Sequence, residues 1–243
     1  MTSSASEPIH DDSYAALSRD PLVSLVLALP LLVFYQGGVV VLLLSGVHVI
    51  NGADVLTRFV LPHWGLKGLV VLDLSILALL LAAIIRLERR GARFRLGLFV
   101  PLLIESAVYA AALGAVLTAV LERLPFAAAA GLPEGNAAAL VLSIGAGIHE
   151  ELVFRLALLG GLGFVLVDFL GMGERSGTVL AMALSSLLFA GAHHLGALGE
   201  PFALSTFVFR FLAGMLFCAI YKLRSFAVAA WTHALYDVYV LVL

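Results

Sequence analysis

The chain has 243 residues, of which 62% are hydrophobic and only 12% are charged, and its mean hydropathy is +1.09. This composition is too apolar for an ordinary soluble domain and predicts a protein surrounded mainly by lipid. The formal net charge of −2 gives no sign of nucleic-acid binding, so we expect the lipid bilayer, and no nucleic acid, as a partner.

The first twenty residues form a polar, acidic tail without the basic segment and short apolar run of a cleavable signal peptide. We therefore expect the first spanning helix to target the chain to the membrane. Residues 1–20 are predicted to be a polar tail, and residues 21–243 a single transmembrane domain.

Apolar runs along the rest of the chain are each long enough, or nearly so, to cross a bilayer, which takes about 20 residues. They predict an all-α, polytopic transmembrane helix bundle with seven or eight spanning helices. The number depends on residues 160–177, a glycine-rich segment that either crosses the membrane or folds back. The runs cover residues 22–47, 66–85, 97–121, 137–159, 178–195, 201–221 and 226–243.

Two arguments about residues 160–177 point in opposite directions. Without a crossing there, Arg175, Lys222 and Arg224 fall on the same side as the most arginine-rich loop, as the positive-inside rule prefers. With a crossing, Glu150 and His193 fall at similar depths at about 1.5 Å of rise per residue. The sequence leaves both topologies open.

Residues 86–95 hold five arginines, and such an excess near helix ends usually stays in the cytoplasm. We interpret this loop as a topology signal that also places the N-terminus in the cytoplasm, with contact to anionic lipid as a minor alternative. The protein is therefore expected to be an integral multi-pass protein of the plasma membrane.

The first polar cluster within an apolar run contains His149, Glu150, Glu151 and Arg155. Each ionised side chain near a bilayer centre costs roughly 2.5–3.5 kcal/mol on insertion scales, so the presence of this cluster in an apolar run requires a structural or functional explanation. Glu151 and Arg155 are four residues apart on a helix and can pair, either as a structural staple or as part of a site. The Glu150 side chain points about 100° away from this pair and is therefore available for a different role.

Two further clusters follow towards the C-terminus. Phe189 and His193 share a helix face, whereas His194 points elsewhere and is expected to be an ordinary hydrogen-bonded residue. His233 and Asp237 share a face of the last helix, a spacing that suits a structural hydrogen bond, a shared water or a metal ion.

Together these side chains supply what amide hydrolysis requires: a base for water, groups that position the water, and a donor for the oxyanion. The sequence does not fit familiar serine or cysteine catalysis, because there is no G-x-S-x-G elbow and Cys218 lies in an apolar run where it is expected only to pack. It is not a zincin, because Val153 stands where H-E-x-x-H requires its second histidine.

The ordered clusters resemble the motifs E-E-x-x-x-R, F-x-x-x-H and H-x-x-x-N/D of the CAAX protease and bacteriocin-processing (CPBP) family of intramembrane proteases. The resemblance covers residues 137–243, and Asp237 stands where asparagine is more usual. It implies that Glu151 and Arg155 hold the site together. The matching residues are Glu150, Glu151 and Arg155, then Phe189 and His193, then His233 and Asp237.

The resemblance also implies an intramembrane endopeptidase in which Glu150 acts as general base on a water shared with His193. His233 and Asp237 would orient the substrate or support the oxyanion. The family includes proteases described as glutamate-type and as metal-dependent, and these four residues are also suitable ligands for a divalent metal such as Zn²⁺. The expected partner is a peptide or membrane-protein substrate bearing a prenylated CAAX motif, a bacteriocin leader or a sorting tail.

Two other functions stay open at this stage. Asp73, Glu105 and Arg210 are further polar residues within apolar runs, and such residues also form ion or proton pathways in coupled transporters. Transporters often consist of two related halves with broken helices, and we find no such symmetry in this sequence. A catalytically silent, immunity-type membrane protein would keep the same motifs without hydrolysis.

Overall fold

The computed structural model describes residues 13–46, 55–89, 94–121, 136–195 and 199–241. Within these ranges the chain forms helices and no strands, which confirms the predicted all-α fold. The helices are α1 (Tyr14–Leu17), α2 (Pro21–Leu44), α3 (Val55–Arg89), α4 (Phe99–Leu121), α5 (Asn136–Glu150), α6 (Gly160–Gly163), α7 (Glu174–Ala192), α8 (Leu204–Leu223) and α9 (Phe226–Leu241).

In the described part of the chain, five helical segments are long and apolar enough to cross a membrane, as expected for a multi-pass membrane protein. Helix α3 contains a shorter apolar stretch, Leu74–Arg86, and α9 has only 16 residues. The five segments are Pro21–Leu42, Leu96–Val120, Ala137–Phe169, Glu174–Ala192 and Leu204–Leu223.

Residues 160–169 continue the helix that starts with α5 and do not cross the membrane separately. Ala137–Phe169 is one helical segment of 33 residues, in which Glu151–Leu159 and Phe164–Phe169 have π-helical hydrogen bonding. The predicted span at 137–159 was therefore too short. The reason is that the glycines of α6 are tolerated within a helix that neighbouring helices support.

A tight turn at residues 170–173 reverses the chain before α7. Gly171 has φ +69°, a left-handed conformation that glycine adopts without steric cost. Glu150 and His193 lie equally far along the chain from this turn, so an antiparallel hairpin brings them to the same height. Similar depth therefore does not require an additional crossing.

Helices α5 and α9 form the centre of the bundle and approach each other at backbone distance. A Cβ atom added to Gly147 would lie 2.6 Å from the backbone nitrogen of Ala234, closer than any real contact. Small residues permit such approach between helices in a membrane. Glu150 on α5 and His233 on α9 are thereby held side by side.

The chain before α2 packs against one end of the bundle. The Tyr14 hydroxyl donates to Oε2 of Glu105 at 2.5 Å, the Arg224 guanidinium donates to both oxygens of the same carboxylate, and Arg19 donates to the carbonyl of Leu223. Burial and the Glu105 carboxylate raise the pKa of Tyr14, and hydrogen bonds to Glu105 raise the pKa of Arg224. Part of the predicted tail therefore contacts the same end of the bundle as Arg224.

Candidate active site

The three predicted clusters meet in the interior of the bundle. Glu150 is the last residue of α5, His193 follows the last residue of α7, and His233 lies midway along α9. All three side chains are buried, with Glu150 only 2% exposed. Segments far apart in sequence thus converge on one carboxylate.

Glu150 faces an imidazole on each side. Its Oε1 lies 3.6 Å from Nε2 of His193, and its Oε2 lies 3.7 Å from Nε2 of His233. Both distances exceed that of a direct hydrogen bond, and Oε1 has no hydrogen-bond partner among the described residues. A water that lies to the side of either pair can hydrogen-bond both atoms of that pair.

Glu151 and Arg155 form the predicted ion pair. Nη1 of Arg155 lies 3.0 Å from Oε1 of Glu151, and both side chains are fully buried. The same Glu151 oxygen lies 2.8 Å from Nδ1 of His233, and Nη2 of Arg155 donates to the carbonyl of Gly214 at 3.4 Å. The pair therefore connects the helical segment that continues α5 with both α8 and α9.

The helix widens directly after Glu150, where the π-helical segment Glu151–Leu159 begins. Such segments occur frequently at functional sites. The Ser185 hydroxyl of α7 donates to the carbonyl of Phe154 in this segment at 2.7 Å. The bond attaches the widened turn to α7, the helix that leads to His193.

The tautomer of His193 follows from its partner. Nδ1 lies 2.8 Å from the carbonyl oxygen of Phe189, and a carbonyl can only accept, so Nδ1 carries a proton and Nε2 faces Glu150. The Phe189 ring contacts the imidazole edge-on at 5.0 Å between centroids and lies 4.5 Å below the Arg155 guanidinium carbon. Phe189 is thus the apolar neighbour of both groups.

His233 lies between three acidic side chains. Its Nδ1 bonds Glu151, while its Nε2 lies 3.7 Å from Glu150 and 3.6 Å from Oδ2 of Asp237. The Phe217 ring stacks on the imidazole at 4.3 Å with an interplanar angle of 19°. The Asp237 side chain is 21% exposed, so it lies at the more accessible edge of the cluster.

Sequence reasoning missed the contributions of Gly214, Phe217 and Ser185. None of them stands out in the sequence, because a glycine, a phenylalanine and a serine are common in packed membrane helices. His194, by contrast, lies where it was predicted, with Nδ1 3.2 Å from the carbonyl of Glu200 and the ring packed on aromatic side chains. Cys218 is fully buried in an apolar cluster, as expected.

The predicted metal ligands do not form a recognisable metal centre. Imidazole nitrogens and carboxylate oxygens are suitable zinc donors, but zinc requires them to converge within about 2.0–2.2 Å of one point. In the ranges that the structure describes, no group of three or more His, Cys, Asp or Glu side chains is arranged to hold a metal ion. Metal binding by Glu150, His193, His233 and Asp237 therefore stays a prediction.

Comparison with known proteins identifies the segment that carries these residues. Residues 133–239 match the family model described as Type II CAAX prenyl endopeptidase Rce1-like, and the match includes all three motifs. No curated protein and no solved structure matches the chain. The resemblance stated from the motifs is confirmed: residues 133–239 are an Rce1-like domain, from a family of CAAX-type intramembrane endopeptidases.

Proposed function

We propose that this protein is an intramembrane endopeptidase in which Glu150 activates the water that attacks the substrate's peptide bond. The observation that carries this proposal is the buried Glu150 carboxylate, which faces the Nε2 atoms of two histidines across gaps of 3.6 and 3.7 Å. A water beside either pair of atoms, at about 2.8–3.0 Å from both, is within hydrogen-bond reach of a base and of a second polar group.

In the proposed reaction, Glu150 takes a proton from a water that also bonds Nε2 of His193. The water oxygen forms a bond to the carbonyl carbon, whose π electrons move to the carbonyl oxygen and produce a tetrahedral oxyanion. The C–N bond then breaks as the oxyanion collapses, and the proton held by Glu150 passes to the leaving amine. Atoms and charge balance without a further reactant.

His233 is the proposed donor to the oxyanion. Its Nδ1 donates to the Glu151 carboxylate, which fixes the ring, so His233 acts as the imidazolium, in which Nε2 also carries a proton to donate. That Nε2 lies 3.7 Å from Glu150 and 3.6 Å from Asp237. A donor aimed at the developing negative charge is usually worth 10²–10³-fold in rate. Asp237 would orient this donor or the substrate from the accessible edge of the site.

The substrate we propose is a peptide or membrane protein cleaved near or within the bilayer, at a CAAX-type C-terminus or at a leader or sorting tail. We also propose a location in the plasma membrane, with the N-terminus in the cytoplasm because of the arginine-rich loop at residues 86–95.

The transporter alternative receives less support from the remaining polar residues. Glu105 pairs with Arg224, and Glu200 pairs with Arg210 at 2.6 Å. Residues committed to such pairs do not form a chain of titratable groups leading to Glu150. The Asp73 side chain lies outside the described residues.

The direct test is cleavage of candidate membrane peptides by the purified protein in detergent or vesicles. We expect cleavage by the wild type and a loss of at least about 100-fold in kcat for His193→Ala, because the water loses a positioning partner. Product masses from mass spectrometry identify the bond cleaved. Equal cleavage by both proteins would contradict the proposal, and so would ion flux without cleavage by the wild type.

Metal dependence has its own test. We expect protein treated with a strong chelator, and shown by elemental analysis to be free of metal, to retain its kcat, since the proposed steps use only side chains and water. Loss of activity on chelation, with recovery on adding Zn²⁺, would contradict the glutamate-type mechanism while leaving the protease activity in place.

A further inference from the structure

We propose that Glu200 and Arg210 form a positioning pair that holds His193 at the correct distance from Glu150. Neither residue belongs to the three motifs. The inference rests on the proposed function, because it concerns how the water-binding imidazole is placed.

The backbone of His193 lies at the end of a helix, directly after the last residue of α7. The last carbonyls of a helix lack partners within the helix, and its last turn frays unless something else binds them. The backbone N–H of Glu200 donates to the His193 carbonyl at 2.9 Å. Nδ1 of His194 lies 3.2 Å from the Glu200 carbonyl, which adds a second link between the helix end and the same residue.

The Glu200 side chain then connects this helix end to α8. Nη2 of Arg210 donates to Oε1 of Glu200 at 2.6 Å, a charge-assisted hydrogen bond. This bond lowers the pKa of Glu200, which favours the charged form of the carboxylate. The pair therefore fixes where the Glu200 backbone sits, and with it the carbonyl of His193.

Helix α8 is a suitable reference because it also holds the other parts of the site. Gly214, one turn after Arg210, provides the carbonyl that accepts from Arg155. Phe217, about two turns after Arg210, stacks on His233. Helix α8 thus positions Arg155 through Gly214 and His233 through Phe217. By the proposed role of Arg210, it also positions His193.

The cost of placing Arg210 in α8 supports a specific role. Its side chain is only 16% exposed, compared with 42% for Glu200, and lies in an apolar helix, where an arginine at the helix centre costs roughly 2.5–3.5 kcal/mol on insertion scales. An apolar residue would pack there without that cost. A misplacement of about 1 Å in a catalytic group reduces the rate by up to about 10²-fold. Correct placement of His193 would therefore offset the energetic cost of Arg210 in this helix.

The test compares kcat and KM for Glu200→Gln, Arg210→Gln and the reversed pair Glu200→Arg/Arg210→Glu. We expect each single variant to lose about 10- to 100-fold in kcat with less than about 3-fold change in KM, since the proposed effect acts through His193 and not through substrate binding. The reversed pair is expected to recover at least about 10-fold over the weaker single variant. Glu174→Gln and Arg175→Gln, at the exposed opposite end of α7, are the matched controls and should keep wild-type kcat.

Folding is monitored by size-exclusion profile and thermal unfolding, and rates are expressed per folded molecule. If a glutamine variant does not fold, Glu200→Asp and Arg210→Lys provide the readout, with smaller losses in kcat expected. Single variants with wild-type kcat, or a reversed pair no better than the weaker single variant, would overturn the positioning role. A wild type that cleaves no peptide would overturn the proposed function instead, so the two failures are distinguishable.

Discussion

Replacement of Glu150 by glutamine is expected to lower kcat for peptide cleavage by about 10²- to 10⁴-fold, the range attributed to a general base. Glutamine keeps the size and shape of the side chain, but its amide cannot take the proton from water. KM should change little, because the loss occurs in the transition state and not in substrate binding.

The same variant should remain folded, and this separates chemistry from stability. Glu150 makes no direct hydrogen bond or ion pair within 3.5 Å to either histidine, so glutamine removes a buried charge without breaking a close contact. We expect a melting temperature equal to or above that of the wild type. The exposed substitution Glu174→Gln is the control for a change of one charge. Retention of more than about a tenth of wild-type kcat in Glu150→Gln would remove this residue from the role of base.

The contacts that the sequence predicted correctly are those within single helices. Glu151 pairs with Arg155 and Phe189 contacts His193, because a four-residue spacing places two side chains on one face. His233 and Asp237, also four apart, come within 3.6 Å. Helical periodicity alone is sufficient for such predictions.

The contacts between helices could not be predicted in this way. The bond from His233 to Glu151 depends on how closely α5 and α9 approach, which is set by the contact of Gly147 with Ala234. Periodicity shows which face of a helix carries a residue, but not which helix that face meets. The stacking of Phe217 on His233 was missed for the same reason.

The length of the helical segment Ala137–Phe169 could not be predicted from the sequence either. Residues 160–169 are apolar and glycine-rich, a composition that fits both a re-entrant segment and the end of a long helix. The π-helical hydrogen bonds at Glu151–Leu159 have no known compositional signature. Packing against α7, including the bond from Ser185 to Phe154, accompanies this conformation.

Removal of Arg155 is expected to have the largest effect on stability. Arg155→Met keeps much of the apolar stem but leaves the Glu151 carboxylate buried without its arginine partner, with only His233 bonded to it. Breaking a buried ion pair from one side costs about 3–5 kcal/mol. The measurement is the free energy of unfolding in mixed detergent micelles, or the melting temperature where unfolding is irreversible.

A second substitution tests whether that cost comes from the unpaired charge. In Glu151→Gln/Arg155→Met the buried charge is gone, while the glutamine oxygen can still accept from Nδ1 of His233. We expect the double variant to recover at least half of the stability lost in Arg155→Met. A double variant as unstable as the single one would mean that Arg155 stabilises the fold through its contacts with Phe189 and Gly214 and not through the charge pair.

The kinetics of the double variant test how Arg155 affects catalysis. Arg155 is fully buried, with its guanidinium over the Phe189 ring, and so cannot contact a substrate without rearrangement of the core. We expect its effect on catalysis to pass mainly through Glu151, which bonds Nδ1 of His233 at 2.8 Å. We expect the folded double variant to retain the wild-type KM and to lose only part of kcat, because glutamine holds the imidazole by a neutral hydrogen bond in place of a charged one. A change in KM with an unchanged kcat would place Arg155 in substrate binding instead.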